Sequence, residues 1–408
     1  MSRRVVVTGM GVASPVGSTV EALAEGLLAA RSGITTMPAW AAYEGLKTRL
    51  AGPVTDADLS FPRKRVRTMG RVARLALYAT DQALTQAGWT AATLPAERTG
   101  VSYGSTHGSS TAMEATMGRL FREQTFAGMP SSAYFKFMSH TVAANLGIAY
   151  GIHGRIYTTC SACTSGSQGI GYGYEAVRDG ACDVMICGGA EELHPIHAGV
   201  FDVMFATSTA YNDAPDRSPR PYDRDRDGLV VGEGAATLIL EPYEAALARG
   251  APILAEIVGY GTNCDGQHAT APSQAGMAGA MRLALEDAGL EPADVDYING
   301  HGTATELGDI AETQATFAVF GERIPISSTK STMGHTLGAC GAIESVISIL
   351  AIQRGFLPPT RNLDHLDERC APLDYVTTVR RATPKVVMNN NFAFGGINTS
   401  LVFREVAG

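Results

Sequence analysis

Short runs of β-branched and aliphatic residues recur along the chain, at positions 5–8, 184–187, 237–240, 324–327, 386–388 and 401–403. Between them, stretches such as 73–87 and 276–288 return an apolar residue at helical spacing. Strands alternating with amphipathic helices predict an α/β fold. The segment 337–352 is different, because Ala342, Ile343, Val346, Ile349 and Leu350 leave it almost no polar face. A helix apolar all round must be covered on every side, so a layer of helices sandwiched between sheets is expected.

The pattern also repeats itself. Ala83-Leu-Thr-Gln-Ala-Gly88 precedes a strand and a Gly/His-rich loop at 104–108. Ala284-Leu-Glu-Asp-Ala-Gly289 precedes a strand and a Gly/His-rich loop at 299–305. Cys163 opens a small-residue helix ending at Asp179-Gly180, and His335 opens the apolar helix ending at Arg354-Gly355. Such an echo predicts two related halves, 1–250 and 251–408, whose matching helix starts meet near a pseudo-two-fold axis. Cys163 and His335 would then share one site.

Composition narrows the class. With 45% hydrophobic and 18% charged residues the chain reads as an ordinary globular protein, long enough for two or three domain-sized units or one duplication. A net charge of −8 supplies no global field for nucleic acid, so an acidic partner needs a local basic patch. The apolar run after Met1-Ser-Arg-Arg4 is too short for a signal peptide, and no uninterrupted apolar stretch approaches the roughly 18 residues of a membrane helix. Seven cysteines, an odd number, read as thiols of a cytoplasmic protein.

The strongest chemical signal is Thr159-Cys160-Ser161-Ala162-Cys163-Thr164-Ser165-Gly166, where a short strand turns into a helix. A thiol at a helix start meets partial positive charge and free N–H groups, which predicts a lowered pKa and a nucleophile. The bland alternative is a small buried hydrophobe. Cys160 and Cys163 also form a C-x-x-C pair, but zinc would require further ligands at matching spacing. The nearest are His194 and His197, where Pro195 argues for a loop. His301 in Asn299-Gly-His-Gly-Thr-Ala-Thr305, and His335 in Ser328-Thr-Lys-Ser-Thr-Met-Gly-His-Thr336, follow predicted strands in glycine-framed loops. One cysteine with two histidines and a lysine is a nucleophile and hydrogen-bond-donor set suited to acyl transfer.

Two look-alikes fail. Asp223-Arg-Asp-Arg-Asp-Gly228 resembles a calcium loop, yet its required glutamate position is Gly234, which predicts a salt-bridged loop instead. Gly9-Met-Gly11 hints at a dinucleotide fingerprint, but Ser14 and Pro15 stand where the third glycine and helix start belong. The densest basic cluster, Arg63-Lys-Arg-Val-Arg67 with Arg71 and Arg74, is either a solvated face or a dock for an acidic partner.

Taken together, Ser161-Ala-Cys163-Thr-Ser-Gly166, Gly300-His-Gly-Thr-Ala-Thr305, Lys330 and Gly334-His-Thr336 resemble, in order and spacing, the elongating β-ketoacyl-[acyl-carrier-protein] synthases. Asn391-Phe-Ala-Phe-Gly-Gly-Ile-Asn398, Asp225-Arg-Asp-Gly228 and Pro358-Pro-Thr-Arg-Asn-Leu363 are further landmarks of that family, so the likeness spans essentially the whole chain. It implies a thiolase-like duplicated fold in five α-β-α-β-α layers. It assigns Cys163 as nucleophile, His301, His335 and Lys330 as its catalytic partners, and the N–H groups of Cys163 and Phe394 as oxyanion hole. Thr303, Thr305, Phe394, His107 and Phe201 would meet substrate, and Glu344 would support the site. Arg63, Lys64 and Arg67 would receive an acyl carrier protein. No cofactor is implied beyond the carrier's phosphopantetheine, although a structural monovalent cation near Asn299 and Glu344 accords with the likeness. A dimer is implied, either with itself or with a chain-length-factor subunit.

A degradative thiolase would carry a second catalytic cysteine where this chain has Phe394-Gly-Gly, and a priming synthase would replace Gly334-His-Thr336 with an asparagine motif. Where fatty-acid enzymes place glycine or an apolar residue at the acyl pocket, this chain has His107; Cys160, Ala393 and Ile397 also depart from that pattern. With Ser139-His-Thr141 and Ser165-Gly-Ser-Gln168, the wording resembles the ketosynthases of aryl-polyene and related polyene pathways. An unsaturated or aromatic acyl substrate is expected, with fatty-acid elongation as the alternative.

Overall fold

The computed structural model describes residues 2–406. Five strands from the first part of the chain lie in the order Ile156–Thr159, Thr99–Gly104, Val184–Glu191, Gly234–Pro242, Val5–Ala13. Five from the second lie in the order Pro325–Ser327, Tyr297–Asn299, Val386–Ala393, Ile397–Arg404, Ala255–Cys264. In each set the first three strands are mutually parallel and the last two antiparallel to their neighbours. The sets join edge to edge where Val5–Val7 pair antiparallel with Ala255–Ile257, and Asp374–Tyr375 extends the second set. Equal order and direction in both sets account for the echo in the sequence.

Five layers result, as expected. Helix Arg71–Gln86 covers the outer face of the first set, and Gln274–Ala288 with Glu306–Phe320 covers the outer face of the second. Between the sets lie helices Ser165–Arg178 and Cys340–Arg354. All residues from Cys340 to Ile352 are buried, which is why that helix lacks a polar stripe. The stretch Leu337–Arg354 is the one described segment apolar and long enough to cross a membrane, and 89% of it is buried inside the protein.

Gly9 and Gly11 sit inside strand Val5–Ala13, not in a nucleotide-binding turn. A side chain at either would strike the Ala83 or Ala79 carbonyl of the covering helix, so they permit close strand–helix packing. The 223–228 segment is the salt-bridged loop its charges suggest: Arg220 pairs with Asp223 and Asp364, and Arg226 with Asp309 and Asp367. His194 and His197 depart from expectation. Pro195 starts helix Pro195–Asp202 and His194 caps it, because proline at the first helical position forgoes an N–H that has no partner there.

The two central helices touch at Gly166, where a Cβ would lie 2.9 Å from both the Ala342 nitrogen and the Gly338 carbonyl oxygen. Gly166→Ala should therefore cost about 1–3 kcal/mol by forcing backbone apart. Urea unfolding of the variant checks this, and an unchanged midpoint would show that the helix contact has slack.

Candidate active site

Both central helices are entered through short 3₁₀ turns, Ala162–Thr164 before Ser165–Arg178 and Leu337–Ala339 before Cys340–Arg354. Because these turns face each other, Cys163 and His335 converge from opposite halves of the chain. The His335 Nε2 lies 2.9 Å from the Cys163 sulfur. His335 Nδ1 accepts the Leu337 N–H at 3.2 Å, which leaves the ring proton on Nε2, directed at the sulfur. His301 meets His335 edge to face, with ring centroids 5.2 Å apart. The sulfur and one nitrogen from each imidazole all lie within 4.8 Å of one another. Three such ligand types resemble a metal site, but a proton on the His335 nitrogen facing sulfur suits a hydrogen-bond donor set better.

Lys330 stands behind the histidines, fully buried, with Nζ 2.5 Å from Glu344 Oε1. The second Glu344 oxygen accepts from Asn391 Nδ2 at 2.7 Å. Burial and, second, the Lys330 charge hold both His301 and His335 well below the usual imidazole pKa, so both are neutral. Cys163 corrects the sequence expectation. Burial pushes its thiol up to about 12, although Lys330 and the backbone N–H groups of Cys163 and Phe394 pull the other way. A helix start attracts negative charge, but removing sulfur from water outweighs it here. The same two N–H groups both approach the Cys163 sulfur.

Two carboxylates that the motifs did not single out hold the His301 loop. Glu312 accepts the N–H groups of His301 and Gly302 at 2.5 and 2.6 Å. Asp309 accepts those of Thr303 and Ala304 at 3.0 and 3.2 Å, and that of Tyr222 at 2.7 Å. Their spacing of three on helix Glu306–Phe320, directly after the loop, was the available signal. Arg226 ties the same loop down through the Thr305 carbonyl at 3.2 Å.

A cavity of about 630 Å³ opens onto Cys163, His301 and His335. Thr303, Thr305, Phe201 and Phe394 line it, and the two phenylalanine rings pack 5.4 Å apart. His107 does not line this cavity. It belongs to a hydrogen-bonded group with Ser110 and His197, because Thr106 and Gly108 fix its loop beneath Glu191 and Phe137. Arg63, Lys64 and Arg67 lie exposed around the short helix Arg63–Val66 with no ion-pair partner among the described residues, whereas Arg65 is committed to Asp81 and Arg71 to Glu233. Buried amide oxygens of Asn299, Asn389 and Asn391 have no hydrogen-bond partner, a donor type that suits a hard cation.

A thiol raised this far reacts through a small thiolate fraction that grows with pH. Alkylation of Cys163 by iodoacetamide, followed on its own peptide so that exposed Cys160 and Cys264 do not interfere, should accelerate about tenfold per pH unit from 7 to 9. A plateau below pH 8 would contradict a buried, protonated resting thiol.

Comparison with known proteins identifies the family. Residues 2–246 match the family described as Beta-ketoacyl synthase, N-terminal domain, and residues 254–364 match Beta-ketoacyl synthase, C-terminal domain. A 3-oxoacyl-[acyl-carrier-protein] synthase 1 of Haemophilus influenzae is 38% identical over 100% of both chains. A 3-oxoacyl-[acyl-carrier-protein] synthase 2 of Vibrio harveyi is 39% identical over 99% of both. Among solved structures, a beta-ketoacyl synthase of Burkholderia phymatum STM815 superposes with TM-score 0.96 at 49% identity, covering 99% of this chain and 100% of that one. The ishigamide ketosynthase/chain length factor gives 0.91 at 34%, and a type II PKS ketosynthase bound to its acyl-carrier protein, AntDE:AntF, gives 0.90 at 31%, each over 100% of both chains. With this agreement along its whole length, the chain belongs to the β-ketoacyl synthase family: it is an acyltransferase, a β-ketoacyl-[acyl-carrier-protein] synthase.

Proposed function

We propose that this synthase extends unsaturated or aromatic acyl chains in an aryl-polyene or related polyene pathway, with Cys163 as the acyl acceptor. The observation that carries the substrate reading is the buried, polar neighbourhood of His107, in which His107 Nε2 lies 2.5 Å from Ser110 Oγ and 3.1 Å from His197 Nε2. A saturated chain packed against these groups would desolvate them without offering a hydrogen bond. The likeness to the ishigamide ketosynthase/chain length factor and to the type II PKS complex AntDE:AntF supports the same direction. The relatives named 3-oxoacyl-[acyl-carrier-protein] synthase 1 and 2 favour the second reading, housekeeping fatty-acid elongation. A non-catalytic partner subunit is disfavoured, since the nucleophile and both histidines are in place.

In the first half-reaction the Cys163 sulfur attacks the carrier thioester, and its proton leaves with the carrier's thiol. The N–H groups of Cys163 and Phe394 hold the oxyanion of the tetrahedral intermediate. A malonyl thioester then enters past Phe201 and Phe394, and Thr303 and Thr305 meet its pantetheine arm. The C–C bond to its carboxylate breaks, carbon dioxide departs, and the electron pair forms an enolate whose oxygen takes hydrogen bonds from His301 and His335. Each such donor lowers the barrier by roughly 3–4 kcal/mol. Neutral imidazoles suit this role: the proton on His335 Nε2 is donated in a hydrogen bond and stays on the ring. The enolate carbon attacks the Cys163 thioester, and collapse releases a β-ketoacyl carrier and a thiolate that regains a proton. Lys330 stabilises the developing negative charge and is itself held by Glu344.

The exposed cations Arg63, Lys64 and Arg67 would dock the acidic carrier. The enzyme would work in the cytoplasm, where its seven free cysteines stay reduced. A dimer, with itself or with a chain-length factor, would use the open sheet edge at Ile156–Thr159, where Ile156 is exposed. A monovalent cation would sit against the unpartnered Asn299 amide near Glu344 in a structural role.

Extension rates on aryl-enoyl and saturated acyl carriers of equal length test the substrate reading. At least a tenfold preference for the aryl-enoyl chain is expected, and a strong preference for the saturated chain removes the polyene pathway. In the same assay Cys163→Ala should end the mass gain seen by intact-protein mass spectrometry without unfolding the protein. Reversing Arg63, Lys64 and Arg67 to glutamate should raise KM for the carrier about tenfold at low salt and change kcat about twofold at most. An unaltered KM would place the carrier elsewhere.

A further inference from the structure

The proposed condensation needs His335 to carry its ring proton on Nε2, and one backbone group sets that state. The Leu337 N–H donates to His335 Nδ1 at 3.2 Å, which leaves the proton on the other nitrogen. Leu337 itself has φ +48°, in the left-handed region that a branched side chain avoids. Such a conformation persists only where the surroundings hold it.

The peptide that follows Leu337 is anchored at both of its polar atoms. Its carbonyl accepts the Cys340 N–H within the 3₁₀ turn. Its N–H, that of Gly338, donates to Glu191 Oε2 at 3.2 Å. The approach is close enough to require glycine, because a Cβ at 338 would lie 2.8 Å from the Thr106 nitrogen and 2.9 Å from Glu191 Oε2. Glu191 ends strand Val184–Glu191 and is fully buried. The same oxygen accepts the Thr106 N–H at 2.9 Å and the Thr106 hydroxyl at 2.6 Å, whereas Oε1 is buried with no partner. Three donors on one oxygen and none on the other suit a neutral carboxyl whose carbonyl oxygen is Oε2, and burial pushes this group up to about 8. Burying an acid with one oxygen unmatched is costly, and neither half-reaction described above uses Glu191.

We infer that Glu191 is a positioning residue for the decarboxylative step: by holding the Gly338 N–H it keeps Leu337 left-handed and the Leu337 N–H on His335 Nδ1. The inference rests on the donor role proposed for His335 and adds the group that sets its tautomer. Without Glu191 the Leu337–Gly338 peptide keeps one anchor, Leu337 is free to return to negative φ, and its N–H leaves the imidazole. Nδ1 then takes the ring proton, and Nε2 is left with a lone pair and no hydrogen to donate to the enolate oxygen. Acylation of Cys163 is spared, since its oxyanion calls on the N–H groups of Cys163 and Phe394.

The test follows two half-reactions separately: decarboxylation of a malonyl carrier, and acylation of Cys163 read by intact mass. Glu191→Met, similar in length but without an acceptor, should slow decarboxylation about tenfold and change acylation about twofold at most. Glu191→Gln keeps an oxygen in the place of Oε2 and should hold both rates within about twofold of the unaltered protein. If Glu191→Met fails to fold, Glu191→Asp, whose carboxyl stops one methylene short of Gly338, decides by the same two rates. Undiminished decarboxylation in the Met or Asp variant overturns the inference, as does an equal fall in both half-reactions, the mark of a merely structural role. A Gln variant as slow as the Met variant overturns it too, because an acceptor at Oε2 would then not suffice. Undiminished decarboxylation in His335→Ala would instead remove the donor role on which the inference rests.

Discussion

The chemistry of this protein depends on how closely two buried helices approach. Ser165–Arg178 and Cys340–Arg354 meet at Gly166; the turn that begins the first carries the thiol, and His335 lies just before the turn that begins the second. A side chain at Gly166 would push the turns apart, and the 2.9 Å contact between His335 and Cys163 would lengthen with them. Backbone packing deep in the core therefore sets the geometry of bond making. The duplicated sheets outside supply the rigidity, since each helix is pressed between two sets of strands with the same order and direction.

Within that frame, electrostatics divide the labour. Lys330 is a buried charge, tolerable because Glu344 and Asn391 complete its surroundings. Burial and, second, the field of Lys330 keep His301 and His335 neutral, the state the proposed donor role needs. The same desolvation raises the Cys163 thiol. The thiol and both imidazoles are thus uncharged at rest, and in the proposed mechanism negative charge appears only as substrate oxygen or sulfur develops it. Glu312 and Asp309 contribute by fixing four consecutive N–H groups of the loop that carries His301.

Much of this was legible in the chain. Strand runs and helical periodicity gave the α/β class, the helix without a polar face gave the central layer, and the repeated Ala-Leu-x-x-Ala-Gly segments gave the duplication. The motifs around Cys163, His301, Lys330 and His335 all arrive at one site. Less legible were features that depend on what surrounds a residue. Helix-start logic lowers the thiol's pKa, and burial reverses it. Pro195 suggested a loop where it begins a helix. The company of His107 was not legible either: it lies outside the cavity that opens onto Cys163, hydrogen-bonded with Ser110 and His197 from distant positions.

The sequence by itself determined which side chains carry reactive atoms, which segments become strands or helices, and which helix has to be covered, because these follow from residue type and short-range spacing. Only the tertiary structure decided the distances between atoms from opposite halves, the protonation of Cys163, His301 and His335, and which of Arg63, Lys64, Arg65, Arg67 and Arg71 remain unpaired. Those properties are set by solvent exclusion and by charges brought near from distant positions, and neither is encoded in the neighbourhood of any one residue.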